Sequence, residues 1–286
     1  MFRTIQRTSP RFPGIRVLGT IAFTILGSVV AVQAQGVEDG WKTLVMRGIY
    51  EGTAKHYEKA EDLLTKAVRE AQRFGANDPR VGSTLNSLGL VYREDKKPKE
   101  AEAAFRQALA PIETAYGEDS IDVANINFNI ASVMVEQGQS AAAIPYLHKS
   151  LSTYDSMLGA SSIKTAGVLC MLGDAYRLSK DFKQAEGPLR RCADIRETDG
   201  GVQNAELAAA LHSLALTFEG QGKYALAEPR FSLAEKIEEN TLGITSPELA
   251  ETLEDHAALL KQLGRDKEAE HLITLSSAIR RSEKKK

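Results

Sequence analysis

The sequence predicts an all-α protein built as a solenoid of about six helix-turn-helix repeats, and three series of residues with a common spacing predict it. Glycines recur every 42 residues at Gly75, Gly117, Gly159, Gly201 and Gly243. Alanines keep the same spacing at Ala101, Ala143, Ala185, Ala227 and Ala269. A small residue is followed three positions later by a large one in Gly89/Tyr92, Ala131/Met134, Gly173/Tyr176, Ala215/Phe218 and Ala257/Leu260. A fixed period of this length is the signature of stacked repeats.

Length and composition suit an ordinary soluble protein with a sizeable core. Of the 286 residues, 43% are hydrophobic and 26% are charged, which is typical of globular domains. The formal net charge at pH 7 is -2, so the chain has no general attraction for phosphate backbones or anionic lipid. The composition therefore disfavours nucleic acid as a partner.

An N-terminal leader with the layout of an export signal precedes the repeats. Four arginines come before the first acidic residue, Glu38: Arg3, Arg7, Arg11 and Arg16. An uncharged apolar run covers residues 17–32, and small residues at Val32 and Ala34 fit cleavage after Ala34. The run is shorter than the ~20 residues of a membrane-spanning helix. We therefore expect residues 1–34 to be a signal peptide and the protein to be periplasmic or secreted.

Two alternatives remain for this leader. An uncleaved leader would anchor the protein to a membrane. A mitochondrial presequence would also be rich in Arg, Ser and Thr and free of acids, although such presequences lack a long uncharged centre.

Each period is predicted to form two helices joined by a tight turn, here named helix A and helix B. A glycine after an apolar residue, as at Phe74-Gly75, fits the left-handed conformation that ends a helix. Asp78-Pro79 and Ser246-Pro247 then place a capping side chain and a first-turn proline at the start of helix A.

The repeats follow one another along the chain. The first, at residues 35–78, is degenerate in helix A. Five regular repeats follow at residues 79–117, 120–159, 162–201, 204–243 and 246–281, and residues 282–286 form a basic tail.

The stretch GKYALAEPRF at residues 222–231 has two possible interpretations, a phosphate-binding loop or the start of a helix B. Its Gly-Lys pair resembles the end of a phosphate-binding loop, but such a loop needs a glycine where this chain has Thr217. Prolines near the starts of three B helices, Pro145, Pro188 and Pro229, would fall where backbone N–H groups have no helical partner. The stretch is therefore predicted to begin a helix.

This arrangement resembles the tetratricopeptide repeat in the long-period form of kinesin-light-chain-type arrays. The resemblance rests on segments such as TLNSLGLVY with EAEAAFRQAL, and LHSLALTFEGQGKYALAEPRFSLAEKI. It covers about Trp41 to Arg280, although Lys96 and Lys180 replace the glycine between the two helices. The resemblance implies an α-α superhelix in which helix A of every repeat lines a concave groove for a peptide or a partner protein.

The resemblance also implies which residues face that groove. They are Asn86, Leu90, Arg93, Asn125, Phe128, Ser132, Cys170, Asp174, Arg177, His212, Leu216, Glu254, Ala258 and Lys261. This mixture suits an extended peptide, because its backbone needs hydrogen-bond partners while a few apolar groups need pockets. The alternative is that some of these side chains only solvate the groove wall.

Residues for catalysis are scarce. The five histidines form no HExxH pair, and no GxSxG elbow occurs, so we expect no enzyme activity, no metal and no cofactor. The repeat pattern directs His212 toward the groove, but it is interpreted as an ordinary polar surface residue. The acid pairs Glu238-Glu239 and Glu254-Asp255 are interpreted as solvated helix faces.

The two cysteines, Cys170 and Cys192, lie in the two helices of one repeat. Cys192 takes the small core position that alanine or serine fills elsewhere, whereas Cys170 is directed toward the groove. Because these directions diverge, we expect buried or half-buried thiols in preference to a disulfide.

Two other functions stay open. Leu272, Leu275 and Ile279 would present an apolar edge after the last repeat, since terminal repeats normally need a polar outer face. Self-association through that edge would make the protein a homo-oligomeric assembly scaffold. The other alternative is an enzyme or the regulatory subunit of an enzyme, which only the histidines and the acid pairs support.

Overall fold

The structure is a computed structural model that describes residues 40–200 and 204–283. Within these ranges the chain forms twelve α-helices joined by short turns, and no strand. The predicted signal peptide, Gly201 and residues 284–286 of the basic tail lie outside the described residues. None of the described helices is long and apolar enough to cross a membrane.

The helices form six consecutive pairs, in agreement with the predicted all-α repeat architecture. The pairs are α1 (Gly40–Thr53) with α2 (Tyr57–Gln72), α3 (Pro79–Glu94) with α4 (Pro98–Tyr116), α5 (Ile121–Glu136) with α6 (Ser140–Leu158), α7 (Ile163–Leu178) with α8 (Phe182–Gly200), α9 (Ala205–Gly220) with α10 (Tyr224–Leu242), and α11 (Pro247–Gln262) with α12 (Asp266–Glu283). Odd-numbered helices are the A helices and even-numbered helices are the B helices. Helix A of the first repeat, degenerate in sequence, still forms the 14-residue α1.

The A helices of the five regular repeats begin at capping side chains. Residues spaced by 42 positions accept a hydrogen bond from a first-turn backbone N–H: Asp78, Ser120, Ser162, Asn204 and Ser246. Each such bond satisfies a donor that the helix itself leaves unpaired. The caps predicted at Asp78 and Ser246 are thus confirmed.

The turns within and between repeats use two different backbone conformations. Within a repeat, the residue two positions before helix B has a φ between 61° and 77°: Lys55, Lys96, Gly138, Lys180, Gly222 and Gly264. Lys96 and Lys180, which depart from the family pattern, therefore adopt the same positive φ as the glycines. At the end of α4, Gly117 combines φ 83° with ψ 157°, which is a region open essentially to glycine and differs from the predicted left-handed helical one.

The prolines of the B helices lie deeper than the sequence predicts. Pro145 is the sixth residue of α6 and Pro229 the sixth residue of α10, so both lie inside the helix. Pro188 is likewise inside α8. The expectation that they occupy the leading unpaired N–H positions is wrong, and each of these helices lacks one internal hydrogen bond.

The predicted series of small and large residues forms the core of each pair. The alanines of the B helices are fully buried: Ala60, Ala101, Ala143, Ala185, Ala227 and Ala269. A Cβ atom added at Gly89 would lie 2.5 Å from Phe105, and one at Gly173 would lie 2.4 Å from Leu189. Helix A must therefore carry a small residue opposite each large one so that the two backbones pack closely.

Polar contacts join the start of one B helix to the turn of the next repeat. Gln137 Nε2 donates to Glu102 Oε2 at 2.8 Å, and Arg265 donates to Glu228 Oε1 at 2.7 Å. These contacts recur at different junctions and hold the start of a B helix against the turn of the next repeat.

Candidate functional site

The candidate site is the inner face, defined here as the predicted groove residues on α3, α5, α7, α9 and α11. Most of them are half-buried: Asn86, Leu90, Arg93, Asn125, Phe128, Cys170, Asp174, Arg177 and Leu216. Glu254, Ala258 and Lys261 are exposed, whereas Ser132 and His212 are buried. A half-buried side chain keeps part of its surface for a ligand while its neighbours hold it in place.

Hydrogen bonds between consecutive A helices hold several of these residues. Asn129 Nδ2 donates to Asn86 Oδ1 at 3.0 Å, which links α5 to α3. Arg93 Nε donates to Glu136 Oε1 at 2.8 Å across the same junction. Because these side chains are fixed by the neighbouring repeat, less conformational entropy would be lost when a ligand binds them.

Asn125 is oriented by its own repeat. The Tyr154 hydroxyl of α6 donates to Asn125 Oδ1. Tyr154 is 4% exposed, and burial, with the negative charge of Asp122, raises its pKa to about 12. The phenol therefore stays a hydrogen-bond donor at physiological pH and positions the amide, a role that the sequence did not reveal.

Asp174 and Arg177 pair with each other along α7. Arg177 Nε donates to Asp174 Oδ1 at 3.1 Å, and both side chains remain half-buried. The pair presents a positive and a negative group side by side on the inner face.

Ser132 lies between helices and not on the accessible part of the inner face. It is 1% exposed, and its hydroxyl donates to Met171 Sδ of α7 at 3.2 Å. The period places this residue on the correct side of α5, but the next A helix covers it.

The interpretation of His212 as a surface residue is wrong. Its side chain is buried, Nε2 lies 2.9 Å from Asp255 Oδ2 of α11, and its ring centroid lies 5.7 Å from that of Phe231. The last A helix covers the imidazole, so His212 joins two repeats.

The expectation of free thiols is also wrong. Cys170 and Cys192 form a disulfide, with Cα atoms 5.4 Å apart, a normal separation for such a bond. Cys170 packs against the buried cluster that contains Leu169 and Cys192. It therefore lies at the seam of α7 and α8, where the two Cβ atoms approach, instead of pointing fully into the groove.

The acid pair Glu238-Glu239 is split between two environments. Glu239 is exposed, but Glu238 is 3% exposed and its Oε1 accepts a hydrogen bond from Thr252 at 3.1 Å. Burial raises the pKa of Glu238 to about 7. The prediction of a solvated face is thus wrong for Glu238, because α11 packs over this part of α10.

The residue types at the equivalent positions of the other repeats do not signal the burial of Glu238. Glu238 lies 42 residues after Arg196 and 84 after Tyr154, which are both buried. Their burial is known only from the structure, and because Arg196, Glu238 and Arg280 are charged, aligning the repeats alone would not have identified this position as interior.

A separate cleft of about 390 Å³ lies on the side of the B helices. It is bounded by α8 and α10 and lined by residues that include Leu207, Leu211, Leu214 and Leu233. None of the predicted groove residues lines it, so the cleft and the inner face are different surfaces.

The predicted apolar C-terminal edge is smaller than the sequence indicates. Ile279 is buried against Leu249, Ala250 and Leu253 of α11, and Leu272 packs against the same cluster. Leu275 is 43% exposed. Helix α12 therefore uses part of its apolar surface within its own repeat.

Comparison with known protein families gives a match along most of the chain. A sequence model described as the tetratricopeptide repeat matches residues 43–110, 122–198 and 206–282. A clustered mitochondria protein homolog from Aspergillus clavatus is 28% identical over 139 residues, which is 48% of this chain and 11% of that protein. The chain thus spans only a small part of the length of such relatives.

Solved structures show the same fold at low sequence identity. BtubC from P. vanneervenii has a TM-score of 0.66 at 21% identity, over 80% of this chain and 92% of that one. A kinesin-light-chain-type protein with nearly identical repeats from Podosopora anserina has a TM-score of 0.61 at 16% identity, over 72% and 99%. The expected likeness to kinesin-light-chain-type arrays is confirmed at the level of the fold.

Proposed function

We propose, since the chain belongs to the tetratricopeptide repeat family, that it is a non-catalytic scaffold whose inner face binds an extended peptide or a partner protein. The observation that carries the proposal is the state of Asn86 and Asn125. Both amides are half-buried, and Asn129 and Tyr154 respectively hold them in fixed orientations. Side-chain amides held in this way match the alternating donors and acceptors of an extended backbone.

Apolar and charged groups beside these amides would give the site its selectivity. Leu90 on α3, Phe128 on α5 and Leu216 on α9 are half-buried, and each could contact an apolar side chain of a ligand. The Asp174–Arg177 pair adds one group of each sign. The surface therefore suits a peptide of mixed polarity better than a uniformly charged one.

We also propose that the protein works in the periplasm or outside the cell. The basic and apolar leader at residues 1–34 supports export, and the Cys170–Cys192 disulfide supports an oxidising compartment. N-terminal sequencing of the protein purified from its native host tests cleavage after Ala34. An intact leader together with freely reacting thiols would contradict export.

The binding proposal is tested by cross-linking and pull-down from the native compartment. The variant Asn86→Ala, Asn125→Ala, Arg177→Ala should lose a partner that the wild type retains. A matched control, Gln107→Ala, Lys149→Ala, Lys236→Ala, changes exposed positions of three B helices and should keep it. Circular dichroism must first show that all three proteins are equally helical. A partner kept equally by the wild type and both variants would place the binding site elsewhere.

Self-association is a second candidate function, supported by the exposure of Leu275 on α12. Sizing chromatography over a dilution series separates the two functions. A dimer that dissociates on dilution, and that Leu275→Glu abolishes, would favour an assembly scaffold. A monomer at every concentration rejects it.

A further inference from the structure

The junction between the fifth and sixth repeats differs in composition from the preceding ones. In four earlier repeats, the buried A-helix position equivalent to His256 carries an aliphatic residue: Leu88, Ile130, Leu172 and Leu214. On α10, Glu235 takes the position of Leu109, Leu151 and Ala193 in earlier repeats. These two positions, apolar in the earlier repeats, therefore carry titratable side chains at this junction.

His256, Thr252 and Glu238 are buried at this junction and Glu235 is half-buried, and not all of their polar atoms have hydrogen-bond partners. His256 Nδ1 lies 2.7 Å from Glu235 Oε1, and the imidazole stacks on Phe231 with ring centroids 5.5 Å apart. Thr252 Oγ1 donates to Glu238 Oε1. His256 Nε2 and Glu238 Oε2 are buried without a hydrogen-bond partner. Each unpaired atom makes the packed interface less stable, because its hydrogen bond to water is lost and not replaced.

The charges that face Glu238 are mostly of its own sign. Helix α9 contributes His212, helix α11 contributes Glu248, and α10 itself contributes Glu235. On the rest of α11, the carboxyl groups of Glu251 and Asp255 are half-buried. No cation forms an ion pair with Glu238 among the described residues, and His212 is already bonded to Asp255.

The protonation state of Glu238 therefore affects the stability of the packing between the fifth and sixth repeats. In its neutral form the carboxyl group is buried without a net charge and accepts from Thr252. In its ionised form it places a negative charge in a buried interface, where the charges of Glu235 and Glu248 also disfavour it. Such a charge is strongly unfavourable unless it is paired.

We infer that the junction between α10 and α11 is a pH-responsive joint, which loosens the attachment of the last repeat when the solution changes from mildly acidic to mildly alkaline. The last repeat carries the inner-face residues Glu254, Ala258 and Lys261, so loosening would alter one end of the inner face. The inference depends on helix packing and is independent of whether the inner face binds a peptide.

The direction follows from the pKa of Glu238. Burial raises it to about 7 in the folded protein, from an ordinary value of 4.5. The folded junction therefore holds its proton longer than an opened one. The stability that this gives is present in full below the ordinary pKa and is lost as the pH rises toward the folded value. Opening should become easier on the order of twentyfold between about pH 5.5 and about pH 8.

Hydrogen exchange with mass spectrometry on the full chain tests the joint. Protection factors of amides in α11 and α12 should fall on the order of twentyfold over this pH range, after correction for intrinsic exchange rates. Amides in α3 and α4 serve as the internal reference. In Glu238→Gln, which keeps the shape of the neutral acid, the fall should largely disappear.

The matched control is Glu239→Gln, which changes the exposed neighbour on the same helix and should behave as the wild type. A wild type whose α11 and α12 protection is independent of pH would overturn the inference. A fall of equal size in Glu238→Gln would also overturn it, because another group would then carry the effect.

Discussion

Breaking the Cys170–Cys192 disulfide should destabilise the fourth repeat by about 3 kcal/mol. The two residues are 22 positions apart. Closing a loop of that length removes about 11 cal/mol/K of entropy from the unfolded chain, which is about 3 kcal/mol at 25 °C. The bond joins α7 to α8, so the loss should be concentrated in that helix pair.

The assay is urea unfolding followed by far-ultraviolet circular dichroism, with and without a reductant. The comparison variant is Cys170→Ala, Cys192→Ala, because alanine fills the Cys192 position in other repeats, as at Ala108 and Ala234. Reductant should lower the midpoint of the wild type to that of the variant and leave the variant unchanged. The reasoning would be refuted if the urea midpoint of the wild type were the same with and without reductant. It would also be refuted if the cysteine thiols reacted with a maleimide before reduction.

Two further substitutions test the packing and the site. Gly173→Ala should cost about 1–3 kcal/mol of unfolding free energy, because the new methyl group would lie 2.4 Å from Leu189. In the control, Gly187→Ala, the added methyl group has no atom within 4 Å, and the substitution should instead stabilise α8 by up to about 1 kcal/mol. Equal effects of the two substitutions on urea unfolding would disprove the close approach at Gly173. Tyr154→Phe should cost about 1 kcal/mol by removing the hydrogen bond to Asn125, and an unchanged midpoint would mean that the amide is not held there.

The spacing of small and large residues was sufficient to predict the fold. Ala227 and Phe231 were placed in the core by the period alone, and both are fully buried. Gly173 was expected to face a large residue, and Leu189 is in contact range there. Such steric pairs recur with the period, so the sequence encodes them directly.

Side chains at the junctions between repeats were harder to predict, because the period gives the side of a helix but not what covers it. Ser132 and His212 lie on the predicted side of their helices, yet the next A helix buries both. The position of Cys170 shows the same limit, since a modest rotation of α7 decides whether its Cβ atom faces the groove or Cys192. These features depend on the relative orientation of whole helices, which no local pattern specifies.

Individual substitutions within a regular repeat were the other source of error. Glu238 was interpreted as solvated because acid pairs usually are. The same position holds Ile112 in the second repeat and Tyr154 in the third, and both are buried. The fold therefore determines the burial of a position even where the residue type changes.

The most direct test of the account is site-specific photo-cross-linking on the inner face. A photoreactive amino acid replaces Phe128, which is half-buried on α5, and in a second protein it replaces Lys149, which is exposed on α6. The account predicts that the partner cross-links to position 128 and not to position 149. Cross-linking from position 149 without cross-linking from position 128 would contradict it.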